Sequence, residues 1–260
     1  MKIMFIGAGN MGGALIRGFM TSGISAEDIY VCENNPERCN KFAQAGANIS
    51  DISIANEMDY VFLAVKPNAF ESLLESLKGA MNPVYVSIAA GISANYIESI
   101  VGDNTKVVRT MPNTAAQILQ GVTFVAHNNN VSLREFDVVK KLLQSVGYVQ
   151  EIDESLMAAA TALGGSSPAY MYMFIDSMAS FAQAYGFDRR DAEVIAAHVM
   201  RGAGEMVLMS NDSPQMLRDN VCSKGGTTEK AIQSFSENSF SNIIESAMQV
   251  CLDRANEMER

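Results

Sequence analysis

The stretch Phe5-Ile6-Gly7-Ala8-Gly9-Asn10-Met11-Gly12 is a Gly-x-Gly-x-x-Gly motif between a short apolar strand and an amphipathic helix. Gly7 permits a tight turn, Gly9 lets the backbone approach a pyrophosphate, and Gly12 packs the helix against the strand. The start of the helix offers N–H donors and a partial positive charge to an anion. The alternative, a glycine turn without a ligand, is disfavoured by the flanking strand and helix. The motif therefore predicts a dinucleotide-binding turn.

Outward from this motif, apolar strands alternate with helices through the first half of the chain. Strands are predicted at residues 2–6, 29–32, 60–65, 84–89, 106–110 and 122–126. Such alternation is typical of a parallel, doubly wound sheet. Beyond residue 153 only helices are predicted, at residues 155–163, 168–185, 188–209, from 213, 227–236 and 239–259. We predict an α/β Rossmann-type domain over residues 1–152 and an all-helical domain over residues 153–260.

Composition excludes several classes of function. Nineteen Lys and Arg against 29 Asp and Glu give a net charge of −10, which disfavours nucleic-acid and anionic membrane partners. The apolar runs are too short to span a membrane, and no targeting segment is recognised, so we expect a cytoplasmic protein. Two histidines and four separated cysteines argue against a histidine triad and against a metal site. Any chemistry is therefore expected to come from a bound cofactor.

The helical half is rich in methionine, which fills irregular apolar gaps in a core or at a helix–helix interface. A small helical domain with this much apolar surface suits a dimer that shares one core, although the composition alone leaves a monomer possible.

Glu33 ends the second predicted strand, where an acid would bind the adenosine ribose hydroxyls of NAD. Asn34 and Asn35 follow it, and their amides could bond the 2′-phosphate of NADP. Arg38 lies one helical turn further on. These residues leave the choice between NADH and NADPH open.

The next strands end in Ala64-Val65-Lys66-Pro67, Ser87-Ile88-Ala89-Ala90-Gly91 and Arg109-Thr110-Met111-Pro112-Asn113-Thr114. In an open α/β sheet, ligands bind outside the carboxyl ends of the strands. Lys66 is expected either to reach cofactor or substrate or to be solvated, and the small residues 88–90 leave room for a flat ring. Asn113 is expected to be an amide partner of the ligand or part of a plain turn.

The helical half contains Asn220-Val221-Cys222-Ser223-Lys224-Gly225-Gly226-Thr227-Thr228, a glycine turn that precedes a helix. Free N–H groups and the helix dipole make such a turn a site for a small carboxylate. The alternative is an ordinary helix start that Thr227 or Thr228 caps. In Gly164-Gly165-Ser166-Ser167-Pro168-Ala169-Tyr170, Ser167 is expected to cap a helix that Pro168 begins.

Together these stretches resemble the pyrroline-5-carboxylate reductases, the last enzymes of proline biosynthesis, nearly end to end. The resemblance implies a Rossmann domain and a helical domain that forms a homodimer, with dimers often gathered into a decamer. It implies hydride transfer from NAD(P)H to the C=N carbon of 1-pyrroline-5-carboxylate, which gives L-proline. The family usually prefers NADPH, whereas Glu33 favours NADH.

The resemblance also assigns site residues. Those on the pyrophosphate would be Ile6, Gly7, Ala8, Gly9, Asn10 and Met11. Those on the nicotinamide side would be Ala64, Val65, Lys66, Pro67, Ile88, Ala89 and Ala90. Those on the substrate would be Asn220, Ser223, Gly226, Thr227 and Thr228. The Thr228 hydroxyl would lie near the ring nitrogen as the catalytic hydrogen-bonding group.

The sequence departs from the family pattern in three loops. Lys224 and Ala115 stand where the family usually has proline, and Gly164-Gly165 replaces Ser-Gly. Two alternatives remain open: a reductase of another cyclic imine, and a non-catalytic NAD(P)-binding regulator. A β-hydroxyacid dehydrogenase is disfavoured because those enzymes use a lysine of the helical domain, and no lysine occurs between Lys141 and Lys224.

Overall fold

One eight-stranded sheet organises the first half of the chain. The computed structural model describes residues 1–260, apart from the side chain of Pro67. The strands are β1 (Ile3–Ile6), β2 (Ile29–Cys32), β3 (Asn48–Ile49), β4 (Tyr60–Leu63), β5 (Val84–Ser87), β6 (Lys106–Pro112), β7 (Gly121–His127) and β8 (Gly147–Glu151). Their order in the sheet is β3-β2-β1-β4-β5-β6-β7-β8, and all neighbours pair in parallel except β6 and β7.

Helices connect these strands and then make up most of the second half. Between the strands lie α1 (Asn10–Thr21), α2 (Pro36–Gln44), α3 (Phe70–Ser76), α4 (Ala94–Val101) and α5 (Leu133–Gln144). They are followed by α6 (Met157–Ala160), α7 (Ser167–Ala184), α8 (Arg189–Met209), α9 (Pro214–Asn220), α10 (Thr227–Glu237) and α11 (Phe240–Glu257). Among the described residues, no helix is long and apolar enough to cross a membrane.

Apolar side chains are buried on both faces of the sheet, as a doubly wound sheet requires. On one face Phe5, Phe19 and Phe62 form a buried aromatic cluster, in which the Phe5 and Phe62 rings stack at 4.7 Å. On the other face Leu74 of α3 and Ile97 of α4 belong to a second buried cluster. All four residues of β1 and of β4 are buried, which explains their continuous apolar sequences.

The predicted fold class is confirmed, with local differences. A parallel arrangement is wrong for β7, which runs antiparallel to β6 because only a short turn at Thr114–Ile118 separates them. The strands β3 and β8 were not predicted, since β3 has two residues and β8 has an exposed, mainly polar sequence. After β4, a 3₁₀ turn at Pro67–Ala69 precedes α3.

Contacts divide the chain into two compact units. One contains Met1–Pro168 with Val250–Arg260, and the other contains Ala169–Gln249. The first unit therefore includes the sheet, α6 and the end of α11. The predicted boundary between residues 152 and 153 rests on the change from strands to helices in the sequence and not on contacts. This boundary stays a prediction.

Candidate functional site

The carboxyl ends of β1 and β4 mark the point where strand order reverses. Ile6 at the end of β1 pairs with Cys32 of β2 on one side and with Leu63 of β4 on the other. The loops that follow these strands leave the sheet at one edge, where a doubly wound sheet binds its ligand.

The glycine-rich turn at this edge excludes side chains at two positions and leaves a third open. Gly7 has a φ of +93°, and a Cβ there would lie 2.7 Å from the Ala64 carbonyl oxygen. A Cβ on Gly12 would lie 2.5 Å from the Gly7 carbonyl oxygen. A Cβ on Gly9 would approach only Arg38 Nη1, at 3.9 Å. The backbone can therefore be approached closely at Gly9.

Helix α1 begins directly after Gly9, and no side chain caps this end. The first turn of α1, whose side chains the structure describes in full, also contains no acidic residue. The first N–H groups of a helix lack intrahelical partners and carry a partial positive charge. The open backbone at Gly9 and the uncapped helix start together fit a pyrophosphate.

Glu33 contacts this turn rather than projecting freely from the strand end. Its Oε2 accepts a hydrogen bond from Ala8 N at 2.9 Å, and its Oε1 accepts from Asn34 N at 2.9 Å and Asn35 N at 3.0 Å. Burial alone would raise the pKa of the Glu33 carboxyl, but these backbone bonds and Arg38 lower it. The carboxylate is therefore ionised and held against the turn.

Arg38 places a cation beside the same carboxylate. Its Nη1 lies 3.3 Å from Glu33 Oε2, and the first turn of α2 brings it there because Asn35 caps the helix by accepting from Arg38 N. The carboxylate favours ribose hydroxyls, whereas the guanidinium favours a 2′-phosphate. The preference between NADH and NADPH therefore depends on which of these two opposite charges has the larger effect.

Residues 64–66 and 88–90 continue β4 and β5 at this edge. Ala64 N donates to Ile6 O at 2.8 Å, and Ile88 N donates to Leu63 O at 3.3 Å. Ala64 and Val65 are half-buried, Lys66 is exposed and Ala89 is buried. The side chain of Pro67 lies outside the described residues. The structure thus brings the turn and the two loops predicted for the nicotinamide to one edge of the sheet.

Asn113, just after β6, and Arg109, within β6, bind other parts of the fold. Asn113 Nδ2 donates to Gly164 O at 3.1 Å, and its Oδ1 accepts from Ala115 N at 3.2 Å. Its amide therefore stabilises the turn instead of facing a ligand. Arg109 is buried and binds Glu154 and Glu259.

The glycine turn at residues 220–228 joins α9 to α10, with Gly226 as the N-cap of α10 and no capping side chain. The alternative of a threonine cap is therefore wrong. Gly225 has a φ of +74°, and Gly226 N donates to Ser223 O at 2.9 Å. Thr228 is half-buried, whereas Asn220, Ser223 and Thr227 are exposed in the single chain. An uncapped helix start beside hydroxyl groups fits a small carboxylate.

Sequence reasoning missed three acidic residues near these turns. Glu229 Oε2 accepts from Gly225 N at 2.8 Å, and Glu154 and Glu259 bind Arg109. Glu229 could have been found from its place in the first turn of α10. Glu154 and Glu259 are distant from Arg109 in the sequence, and no local signal indicates their pairing. No cluster of metal-ligating side chains occurs among the described residues.

Comparisons with known proteins agree with this geometry. A family model described as pyrroline-5-carboxylate reductase dimerisation matches residues 154–258, and one described as NADP oxidoreductase coenzyme F420-dependent matches residues 2–91. Pyrroline-5-carboxylate reductase of Escherichia coli (strain K12) is 33% identical over 265 residues, covering 100% of this chain and 98% of the relative. The enzyme of that name from Pseudomonas aeruginosa is 36% identical, with coverages of 99% and 96%.

Solved structures give the same result. The crystal structure of Plasmodium falciparum pyrroline carboxylate reductase with NADP bound has a TM-score of 0.90 and 30% identity, covering 100% of this chain and 98% of that one. A pyrroline-5-carboxylate reductase from Coxiella burnetii has a TM-score of 0.94 and 28% identity, with the same coverages. The chain therefore belongs to the pyrroline-5-carboxylate reductase family.

Proposed function

We propose that this chain is an NAD(P)H-dependent pyrroline-5-carboxylate reductase that reduces 1-pyrroline-5-carboxylate to L-proline, the last step of proline biosynthesis. The observation that carries the proposal is the full-length similarity to enzymes of that name, at 33% identity for the Escherichia coli relative. The geometry of the two uncapped helix starts, at α1 and α10, supports it.

The residues of the glycine-rich turn, Ile6 to Met11, would bind the cofactor pyrophosphate through the first N–H groups of α1. Residues 64–67 and 88–90 would line the nicotinamide side. When bound, the reduced nicotinamide supplies the hydride. The NADP in the Plasmodium falciparum structure and the presence of Arg38 support NADPH, and the Glu33 carboxylate supports NADH.

The turn at residues 220–228 would hold the substrate carboxylate through backbone amides, with Asn220, Ser223, Gly226 and Thr227 around it. Thr228 would hydrogen-bond the ring nitrogen. A protonated cyclic imine accepts a hydride at carbon without a strong acid on the protein. The reaction therefore does not require a catalytic histidine, and the chain has only two histidines. Positioning of the two reactants can supply roughly 7–11 kcal/mol of the barrier.

The exposed apolar surface of the helical unit supports a homodimer. Large side chains are solvent-exposed in the single chain, including Phe181 (68%), Tyr185 (74%), Leu208 (82%) and Met209 (84%). Exposed apolar side chains in such number indicate an interaction site. The matching family model, described as a dimerisation region, covers these helices. We further propose that such dimers assemble into a decamer and that the protein is cytoplasmic.

The test is a spectrophotometric assay of the purified protein with 1-pyrroline-5-carboxylate and either NADPH or NADH. We expect a loss of reduced-nicotinamide absorbance that requires both protein and substrate, with L-proline as the product. If the protein bound the cofactor but consumed none with this substrate, the reductase proposal would be wrong. Another cyclic imine or a regulatory role would then be favoured.

A further inference from the structure

A buried ion-pair cluster joins β6 to the end of the described chain. Arg109 of β6 is 2% exposed. Its Nη1 and Nη2 donate to the two carboxylate oxygens of Glu259 at 2.5 and 2.9 Å, and Nη1 also donates to Glu154 Oε1 at 3.2 Å. Burial alone would lower the pKa of the Arg109 guanidinium, but both carboxylates raise it. The cation is therefore held by two partners that are far away in sequence.

The backbone around Glu259 binds the loop that follows β5. Arg260 N donates to Gly91 O at 2.9 Å, and Ser93 N donates to Arg260 O at 3.1 Å, so residue 260 lies against Ile92 as a neighbouring strand would. Gly91 has a φ of +72°, and a Cβ there would lie 2.6 Å from the Met258 carbonyl oxygen. The tail and the loop are therefore in direct backbone contact, with no room for a side chain between them.

The same contacts reach both loops predicted for the nicotinamide. Arg109 pairs directly with Ser87, the residue from which the 87–92 loop leaves β5. Glu154 Oε1 accepts from Ala94 N at 2.8 Å, which fixes the far end of that loop. The Arg260 guanidinium lies 3.7 Å from the Glu71 carboxylate in α3, the helix that follows residues 64–67.

Arg109, Glu154 and residues 258–260 are named here the C-terminal clasp. A buried ion pair contributes little net stability compared with apolar side chains of the same volume. Its bidentate bonds are directional, however, and fix the geometry of the segments that they join. Stability alone therefore does not explain why a guanidinium is buried at this place.

We infer that the C-terminal clasp positions the 87–92 loop for the nicotinamide, so that the reduced ring is bound and aligned only when residues 258–260 are in place. This inference rests on the proposed function, because that function places the nicotinamide beside residues 88–90. The clasp residues act through the loop and are positioning residues. They are not expected to touch the adenosine half of the cofactor.

The test separates the two halves of the cofactor by comparing two ligands. One is the reduced dinucleotide that the protein binds more tightly, and the other is its ADP-ribose fragment, which lacks nicotinamide. The variant is Glu259→Ala. The control is Glu257→Ala, since Glu257 lies two residues earlier in the chain but is 63% exposed and pairs with Arg254. Arg109→Ala is avoided because it would leave carboxylates beside an empty buried site.

Dissociation constants are measured by calorimetry, and emission of the bound reduced nicotinamide gives a second readout. For Glu259→Ala we expect about tenfold weaker binding of the dinucleotide and a smaller gain in nicotinamide emission. Binding of the fragment should not change. Glu257→Ala should behave as the unaltered protein for both ligands. Arg109→Lys, which keeps the charge but loses the bidentate bonds, should show the same selective loss.

Equal weakening of both ligands in Glu259→Ala would overturn the inference, since it would indicate a general disturbance of the sheet. An unchanged dissociation constant and unchanged emission would overturn it as well. If the unaltered protein bound neither ligand, the proposed function would fail and the inference with it. Binding without turnover would contradict only the proposed substrate.

Discussion

Glu33 and Arg38 put opposite charges beside the glycine-rich turn, so cofactor preference is a question about two side chains. A 2′-phosphate would be repelled by the Glu33 carboxylate and attracted by the Arg38 guanidinium. Arg38 Nη1 lies 3.3 Å from Glu33 Oε2, so both charges would face the same part of the cofactor. We expect Arg38→Ala to lower kcat/KM with NADPH about tenfold while changing kcat/KM with NADH little. Glu33→Gln should shift the ratio in the opposite direction.

Steady-state kinetics with both cofactors check this expectation. Lys41→Ala is the matched control, because it removes a positive charge from the same helix at an exposed position that is not beside Glu33. Equal losses with NADPH and NADH in Arg38→Ala would show that Arg38 does not recognise the 2′-phosphate.

The lowered pKa of Glu33 makes a further prediction about stability and pH. Because the carboxylate is stabilised in the folded chain, its contribution is present above its unfolded pKa of about 4.3 and is lost as the pH falls through the lower folded value. Glu33→Gln should therefore lower the free energy of unfolding by about 1 kcal/mol at neutral pH. Urea unfolding at a series of pH values should show the difference shrinking below about pH 4. A difference that stayed constant with pH would contradict this role of the charge.

Thr228 is the residue on which the proposed catalytic hydrogen bond depends. Thr228→Val keeps the side-chain shape and removes the hydroxyl, so we expect kcat/KM to fall at least about tenfold. Thr228→Ser keeps the hydroxyl and should retain most of the activity. Full kcat/KM in the valine variant, measured with saturating cofactor, would remove Thr228 from the proposed mechanism.

At the scale of elements, the strand–turn–helix unit from β1 to α1 contains one glycine that the packing requires, Gly12, and one that the proposed ligand requires, Gly9. Gly12→Ala would place a Cβ 2.5 Å from the Gly7 carbonyl oxygen, so it should destabilise the chain by about 1–3 kcal/mol. Gly9→Ala would meet only Arg38 Nη1 at 3.9 Å, so the unfolding temperature should stay nearly unchanged. The added methyl group would nevertheless occupy the space proposed for the pyrophosphate, and dinucleotide binding should weaken.

Thermal unfolding and dinucleotide titration, carried out on both variants, test this division. If Gly9→Ala bound the dinucleotide as tightly as the unaltered chain, the pyrophosphate would not lie against Gly9.

Local sequence signals predicted many helix starts correctly. The helices predicted from residues 188 and 213 begin after the side-chain caps Asp188 and Ser213, because such caps act within a few residues. The direction of β7 and the pairing of β3 and β8 depend on which strands become neighbours in space. A local sequence pattern does not determine such long-range pairing. For the same reason the glycine turn at Gly7 was predictable, whereas the bonds of Arg109 to Glu259 were not.

At the scale of the whole molecule, the two compact units differ in how their apolar side chains are covered. In the sheet unit the rings of Phe5, Phe19 and Phe62 are fully buried. The unit of residues 169–249 has few buried side chains and many exposed apolar ones. The methionine-rich sequence predicted either a core or an interface for these helices. Their exposure in the single chain favours the interface.

A charge placed on this apolar surface should therefore prevent association. Phe181 in α7 is 68% exposed in the single chain, and its ring lies 4.9 Å from that of Tyr185. We expect Phe181→Glu to reduce the mass measured by light scattering towards the 28.1 kDa of one chain, because an unpaired carboxylate would be buried at the interface. Leu133→Glu is the matched control, since Leu133 is 74% exposed at the start of α5 in the sheet unit. A mass that fell equally in both variants would indicate general destabilisation, and an unchanged mass in Phe181→Glu would place the interface on another surface. If the unaltered protein already had the mass of one chain, the proposed homodimer itself would be wrong.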